Sequence, residues 1–95
     1  MSQPVRAWRL APGLLLHTRA WDGEHALYNN LSGDTHLLGA AAIHLLTALQ
    51  VQPLDPAALA QALAARLGLA PDELAGADLD ELLAHLRALS LIEAA

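Results

Sequence analysis

Five histidines, ten acidic residues and three serines are the side chains of this 95-residue chain whose types could support metal or acid–base chemistry. Imidazole is the commonest protein metal ligand, but ligands must converge on one point. His17 and His25 fall on opposite faces of the hairpin that Asp22-Gly23 would close, and His44 and His85 belong to separate helical stretches with no i,i+4 partner. No metal site is therefore expected. His36, between Thr35 and Leu37, is set apart by its place in a short strand; its ordinary role is a half-buried strand residue, its alternative a ligand contact at a sheet edge. General acid–base catalysis needs two titratable groups held close in a cleft. The acids instead gather at Asp72-Glu73, where a helix dipole favours negative charge, and at Asp78, Asp80 and Glu81, which a solvated helix face explains. Ser2, Ser32 and Ser90 have no nucleophile context, the glycines form no phosphate loop, and the absence of cysteine removes thiol nucleophiles, disulfides and cysteine-based zinc sites. The chain reads as a binding protein without a cofactor and not as an enzyme.

The elements that would position any site are legible from turn chemistry and apolar period. Asp-Gly between two strand-like runs signals a two-residue type I′ hairpin, which predicts strands at 14–21 and 24–30. Trp21 then faces Glu24. Counting back puts Leu14, Leu16, Thr18, Ala20, His25, Leu27 and Asn29 on one face, the expected core face, and Leu15, His17, Arg19, Trp21, Glu24, Ala26 and Tyr28 on the other. Trp21 and Tyr28 on that second face suit cross-strand packing or a partner contact. A second turn is expected at Asn30-Leu31-Ser32-Gly33, with Gly33 at positive φ and Asn30 bonding the backbone that follows it, leading into a short edge strand from Asp34 to Leu38. The piece Val5 to Leu10 is compatible with a further strand, which the sequence leaves open.

From Gly39 the period becomes helical, with Ala42, Ile43, Leu46 and Leu49 or Gln50 on one stripe of a helix at about 39–50. Asp55-Pro56 supplies an N-cap and a first-turn proline, and Gly68 a C-terminal stop, for a second helix at 56–67 with Leu59, Leu63 and Leu67 on one face. A third helix is expected at about 71–89, starting near Ala70-Pro71-Asp72-Glu73 and running through Gly76 on the stripe Ala75, Leu79, Leu82, Leu83, Leu86 and Leu89. Ser90-Leu91-Ile92 should close over the core. The expected fold class is α+β, a three-stranded antiparallel meander at about 14–38 followed by three α-helices, in one domain over residues 1–95.

Composition narrows the partners. Net charge is −5, and all five basic residues are arginines (Arg6, Arg9, Arg19, Arg66, Arg87) scattered along the chain, which is no phosphate-neutralising footprint, so nucleic acid is not an expected partner. The segment MSQPVRAWRL has no apolar signal core, and apolar runs are broken by His, Thr or Gly well short of a membrane span; a cytoplasmic chain with no membrane partner is expected. Hydrophobic residues make up 55% but aromatic ones 3%, so the core is Leu and Ala with few large anchors, and the weakly polar helical faces make homo-oligomerisation possible.

The run Tyr28-Asn29-Asn30-Leu31-Ser32-Gly33-Asp34-Thr35-His36-Leu37-Leu38, with Trp21-Asp22-Gly23 before it and Leu86-Arg87-Ala88-Leu89-Ser90-Leu91-Ile92 at the end, resembles the PqqD-like peptide chaperones. Within them it is most similar to the branch named for a neighbouring HPr-kinase-related protein. The resemblance spans about residues 8–93. It implies a winged-helix-like domain, the recognition element of ribosomally made, modified peptides, which binds the leader part of a precursor and presents it to a modifying enzyme. It further implies that the leader adds as a strand to Asp34, Thr35, His36, Leu37 and Leu38, and packs into a groove bordered by Leu79, Leu83, Leu86 and Arg87. Independent of the family, an unpaired strand edge offers main-chain donors and acceptors while an adjoining apolar groove selects alternate side chains. Two other functions fit the same elements: a small interaction or dimerisation subunit of a kinase-associated complex, and a winged-helix DNA-binding protein, for which the basic residues are too few.

Overall fold

The computed structural model describes residues 7–70, 74 and 76–95, with the side chains of 76 and 77 left aside. The chain runs β1 (Trp8–Leu10), β2 (His17–Trp21), β3 (Glu24–Tyr28), β4 (Thr35–Leu38), α1 (Ala40–Val51), α2 (Pro56–Leu67), α3 (Gly76–Ala88) and β5 (Ile92–Ala94). It is an α+β fold: β2, β3 and β4 form an antiparallel meander in that order, and three helices follow. No helix among the described residues is long and apolar enough to cross a membrane.

Asp22 (φ 44°) and Gly23 (φ 80°) both adopt positive φ, the requirement of a type I′ turn, and Trp21 pairs with Glu24. The hairpin register is the expected one. The faces agree in part: Leu14, Leu27 and Asn29 are buried on one side, and Leu15, His17, Arg19, Trp21, Glu24 and Tyr28 are exposed on the other. Thr18 and Ala20, expected on the core face, are exposed, because β2 is an edge strand that no helix among the described residues covers there. The strands are shorter than expected at 14–21 and 24–30. Leu14 is drawn out of β2 by a turn in which its amide donates to the Ala11 carbonyl at 3.0 Å, and the Leu15 amide donates to Asn30 Oδ1 at 2.8 Å.

The turn between β3 and β4 also differs in its chemistry. Gly33 takes positive φ (80°) as expected, but it is Asn29, 3% exposed, whose Oδ1 accepts from the Leu31 amide at 2.8 Å and the Ser32 amide at 3.3 Å. Asn30 turns the other way, its Nδ2 donating to the Gly13 carbonyl at 3.0 Å. The two adjacent asparagines thus divide the work: one shapes the turn and its neighbour ties the turn to the segment before β2.

α2 carries the caps its sequence announces. Asp55 accepts from the Ala58 amide at 2.7 Å, Pro56 opens the helix, and Gly68 (φ 73°) ends it while the Leu69 amide donates back to the Ala64 carbonyl at 2.8 Å. α1 lies against β1, β3 and α2, and buries Leu45 and Ala48 as well as Ala42, Leu46 and Leu49. The expected continuous helix from 71 to 89 is corrected: Leu74 is a bend, the helix begins at Gly76, and residues 71–73 and 75 lie outside the described residues. Gly76 therefore stands at the helix start, where its conformational entropy costs less than in the interior.

β1 and β5 form a second, two-stranded antiparallel sheet, with Trp8 facing Ala94 and Leu10 facing Ile92. Trp8 also exchanges two backbone bonds with Leu54, at 2.8 and 3.1 Å, which ties β1 to the α1–α2 connection. Ser90 (φ 61°) turns the chain out of α3 so that Leu91 and Ile92 bury themselves, as expected for a closing tail. The core is one cluster: Leu27 and Leu38 from the meander, Leu45, Leu46 and Leu49 from α1, Leu59 and Leu63 from α2, Leu79, Leu83 and Leu86 from α3, with Trp8, Leu14, Leu91 and Ile92.

Candidate functional site

Hydrogen-bonded and non-bonded pairs alternate along an antiparallel ladder, and a two-residue hairpin closes on a bonded pair. Starting from Trp21 and Glu24, the residues of β3 that bond toward β2 are Glu24, Ala26 and Tyr28, which leaves His25 and Leu27 to bond toward β4. Their partners are Leu38 and His36. The Asn29 amide, donating to the Asp34 carbonyl at 2.8 Å, continues the same alternation. Thr35 and Leu37 therefore direct their N–H and C=O groups away from the sheet. Both residues are exposed, Leu37 to 68%, and among the described residues no hydrogen bond engages their amides.

Among the described residues the meander has a second free edge on β2, where the same alternation turns Thr18 and Ala20 outward. The two edges differ in protection. Arg19 sits in the middle of β2, and a charge on an edge strand disfavours the approach of another strand. β4 (Thr-His-Leu-Leu) has no charged residue and no proline, so its edge is open to pairing.

Ala41, three residues past Leu38, forms one wall of a cleft of about 400 Å³ whose other residues are Leu63 of α2, Leu74, and Asp78, Leu79, Glu81, Leu82 and His85 around α3. That volume is at the lower end of the roughly 300–1,000 Å³ of ligand pockets and suits one or two side chains of a peptide. On the opposite flank of α3 lies a second cleft, lined by Trp8, Pro56, Asp80, Leu83, Ala84, Arg87 and Ala88. There the Arg87 guanidinium stacks over the Trp8 ring, 5.5 Å from its centroid. α3 is thus a ridge between two clefts, because a rotation of about 100° per residue sends positions 78, 82 and 85 to one flank and 80, 84 and 87 to the other.

Of the expected edge residues, Thr35 to Leu38 form β4 and Asp34 lies just before it, exposed. Leu38 faces inward and is buried; Leu37 faces outward. His36 shares the inner face with Leu27, and its Nε2 is buried with no hydrogen-bond partner among the described residues. The expected groove residues are redistributed. Leu86 is wholly buried and lines neither cleft, so its assignment to a groove is corrected. Leu79 and Leu83 are core residues that each reach a different cleft, and Arg87 lies on the flank of α3 away from Ala41. Besides Leu79, the residues that border the cleft at Ala41 are Leu63, Leu74, Asp78, Glu81, Leu82 and His85. Leu82 and His85 were visible as i and i+3 neighbours on a helix, but a leucine at 79, 82, 83, 86 and 89 leaves the buried stripe ambiguous by one position.

On the outer face of the meander, Trp21 (45% exposed) and Tyr28 (46% exposed) do not pack on each other; Tyr28 instead meets its cross-strand partner His17, ring centroids 6.5 Å apart. Among the described residues, no three His, Asp or Glu side chains are grouped as a metal would require. Compared with protein-family models, curated proteins and solved structures, the chain matches none.

Proposed function

We propose that this chain is a peptide-binding recognition module that takes an extended peptide as an added strand along the free edge of β4 and seats alternate side chains toward the cleft beside α3. The observation that carries this reading is the pair of outward amides at Thr35 and Leu37, on a strand with no charged residue that is followed, three residues on, by Ala41 in the wall of an apolar cleft. Main-chain bonds supply affinity there and the cleft supplies selection, and neither demands a cofactor. The order of meander and helices agrees with the PqqD-like, winged-helix domains that the sequence resembles. The natural ligand is then the leader part of a precursor peptide, presented in the cytoplasm to a modifying enzyme or to an HPr-kinase-related partner. An assembly-subunit role is the second reading, favoured by the exposed Trp21, Tyr28 and Leu37 on the outer face of the sheet.

Proline substitutions along β4 test the proposal, because the ladder assigns opposite roles to neighbouring positions. Thr35→Pro and Leu37→Pro remove only outward donors and should each weaken binding of an extended peptide by about tenfold or more, beyond the loss seen in Thr35→Ala and Leu37→Ala. His36→Pro removes a donor to Leu27 within the sheet and should instead lower stability. Circular dichroism establishes that the Thr35 and Leu37 variants keep native helix content. Unchanged peptide affinity in both, with the fold intact, moves the peptide elsewhere and favours the assembly-subunit reading.

A further inference from the structure

We infer that the peptide taken by this site is cationic, with an aliphatic side chain seated in the cleft between Ala41 and α3 and Lys or Arg residues beside it facing Asp78 and Glu81. The inference rests on the strand-addition reading and adds the chemistry of the ligand. The floor of the cleft is aliphatic, from Leu63, Leu74, Leu79 and Leu82, while its rim carries Asp78 and Glu81, both exposed. Among the described residues neither acid is part of a salt bridge. The salt bridge found among the described residues joins Arg9 to Glu93 at 3.2 Å on the β1–β5 sheet, and Arg66, near Leu63 on α2, bridges neither rim acid. The other flank of α3 is balanced by contrast, since Asp80 and Arg87 line the same cleft.

The edge strand repeats the sign. Asp34 is exposed just before β4, and Glu24 lies with Leu37 and Leu38 around a small recess at its other end. A strand laid along β4 therefore has an exposed acid near each end, and a side chain that reaches the cleft meets two more on its rim. Long basic side chains suit such a surface, because their methylene stems cover aliphatic floor while the charged head stays in water beside a carboxylate. The net charge of −5 adds a long-range attraction for a cation and a repulsion for an acidic strand.

Calorimetric titration of the full chain with three synthetic peptides tests the inference. The peptides share one extended sequence with a central aliphatic residue and differ only at the positions two residues to either side of it, on the same face of the strand, which are Arg, Ser or Glu. At low salt the Arg peptide should bind at least about tenfold tighter than the Ser peptide and the Glu peptide weaker than both, with the Arg advantage shrinking as salt rises. In the Asp78→Asn, Glu81→Gln double variant, the Arg peptide should fall to within about threefold of the Ser peptide. If all three peptides bind alike, or the Glu peptide binds tightest, the charge inference is wrong and strand addition stands. If none binds, strand addition fails and the charge inference falls with it.

Discussion

Asn29 and Asn30 are adjacent, identical in chemistry and each engaged in two hydrogen bonds through the side chain, yet only Asn29 should matter greatly for stability. Its Oδ1 holds the Leu31 and Ser32 amides in a turn where Asn29 itself is 3% exposed, so truncation leaves partly buried donors without an acceptor. At about 1 kcal/mol for each such bond, Asn29→Ala should cost about 2 kcal/mol. For a domain of this length that lowers the melting temperature by about 8–16 °C. Asn30 bonds the Leu15 amide and the Gly13 carbonyl at an exposed position, where water replaces the lost partner, and Asn30→Ala should cost less than about 1 kcal/mol. Urea unfolding followed by far-UV circular dichroism measures both, with an unchanged slope showing that stability alone has moved. An Asn30→Ala penalty larger than that of Asn29→Ala, or an Asn29→Ala variant within about 0.5 kcal/mol of the parent, would refute the assignment of the turn to Asn29.

Leu82→Ala should reduce affinity for the Arg peptide by about 1–2 kcal/mol, because Leu82 lines the cleft beside β4, while Arg87→Ala, on the other flank of α3, should leave that affinity within about twofold; the reverse order would move the site to the Trp8 cleft. Thermal melts with added zinc and with chelator should coincide, since the described histidines and acids do not group around a point, and a zinc-dependent rise in melting temperature would contradict this. Random duplex DNA should show no binding by fluorescence anisotropy at moderate salt, because dispersed arginines in a chain of net charge −5 release too few counterions; micromolar, salt-sensitive binding would overturn it.

The parts of the fold that the sequence disclosed are those fixed by local chemistry. Asp22-Gly23 dictates its turn type, the turn type sets the register, and the register assigns every side chain of β2 and β3 to a face. Asp55, Pro56 and Gly68 bracket α2 to the residue for the same reason. The β1–β5 sheet escaped because three-residue strands show no alternation, and their pairing joins opposite ends of the chain. Which asparagine shapes the β3–β4 turn depends on burial, which two adjacent identical residues do not reveal.

The site was half legible. β4 followed from the Gly33 turn and the helical period that begins after it, and its outward amides follow once the register is known. The groove did not, since a helix with leucine at 79, 82, 83, 86 and 89 fits several buried stripes, and only packing decides that Leu86 is core while Leu82 borders a cleft.

Amide hydrogen exchange read residue by residue by NMR tests strand addition most directly. In the free protein the Thr35 and Leu37 amides should exchange fast, as should Thr18 and Ala20 on the opposite edge, while His36 and Leu27 are protected by the ladder. When the tightest binder of the three synthetic peptides is saturating, Thr35 and Leu37 should become protected and Thr18 and Ala20 should not. Protection appearing at Thr18 and Ala20 instead, or at neither edge, would contradict the claim that β4 receives the peptide.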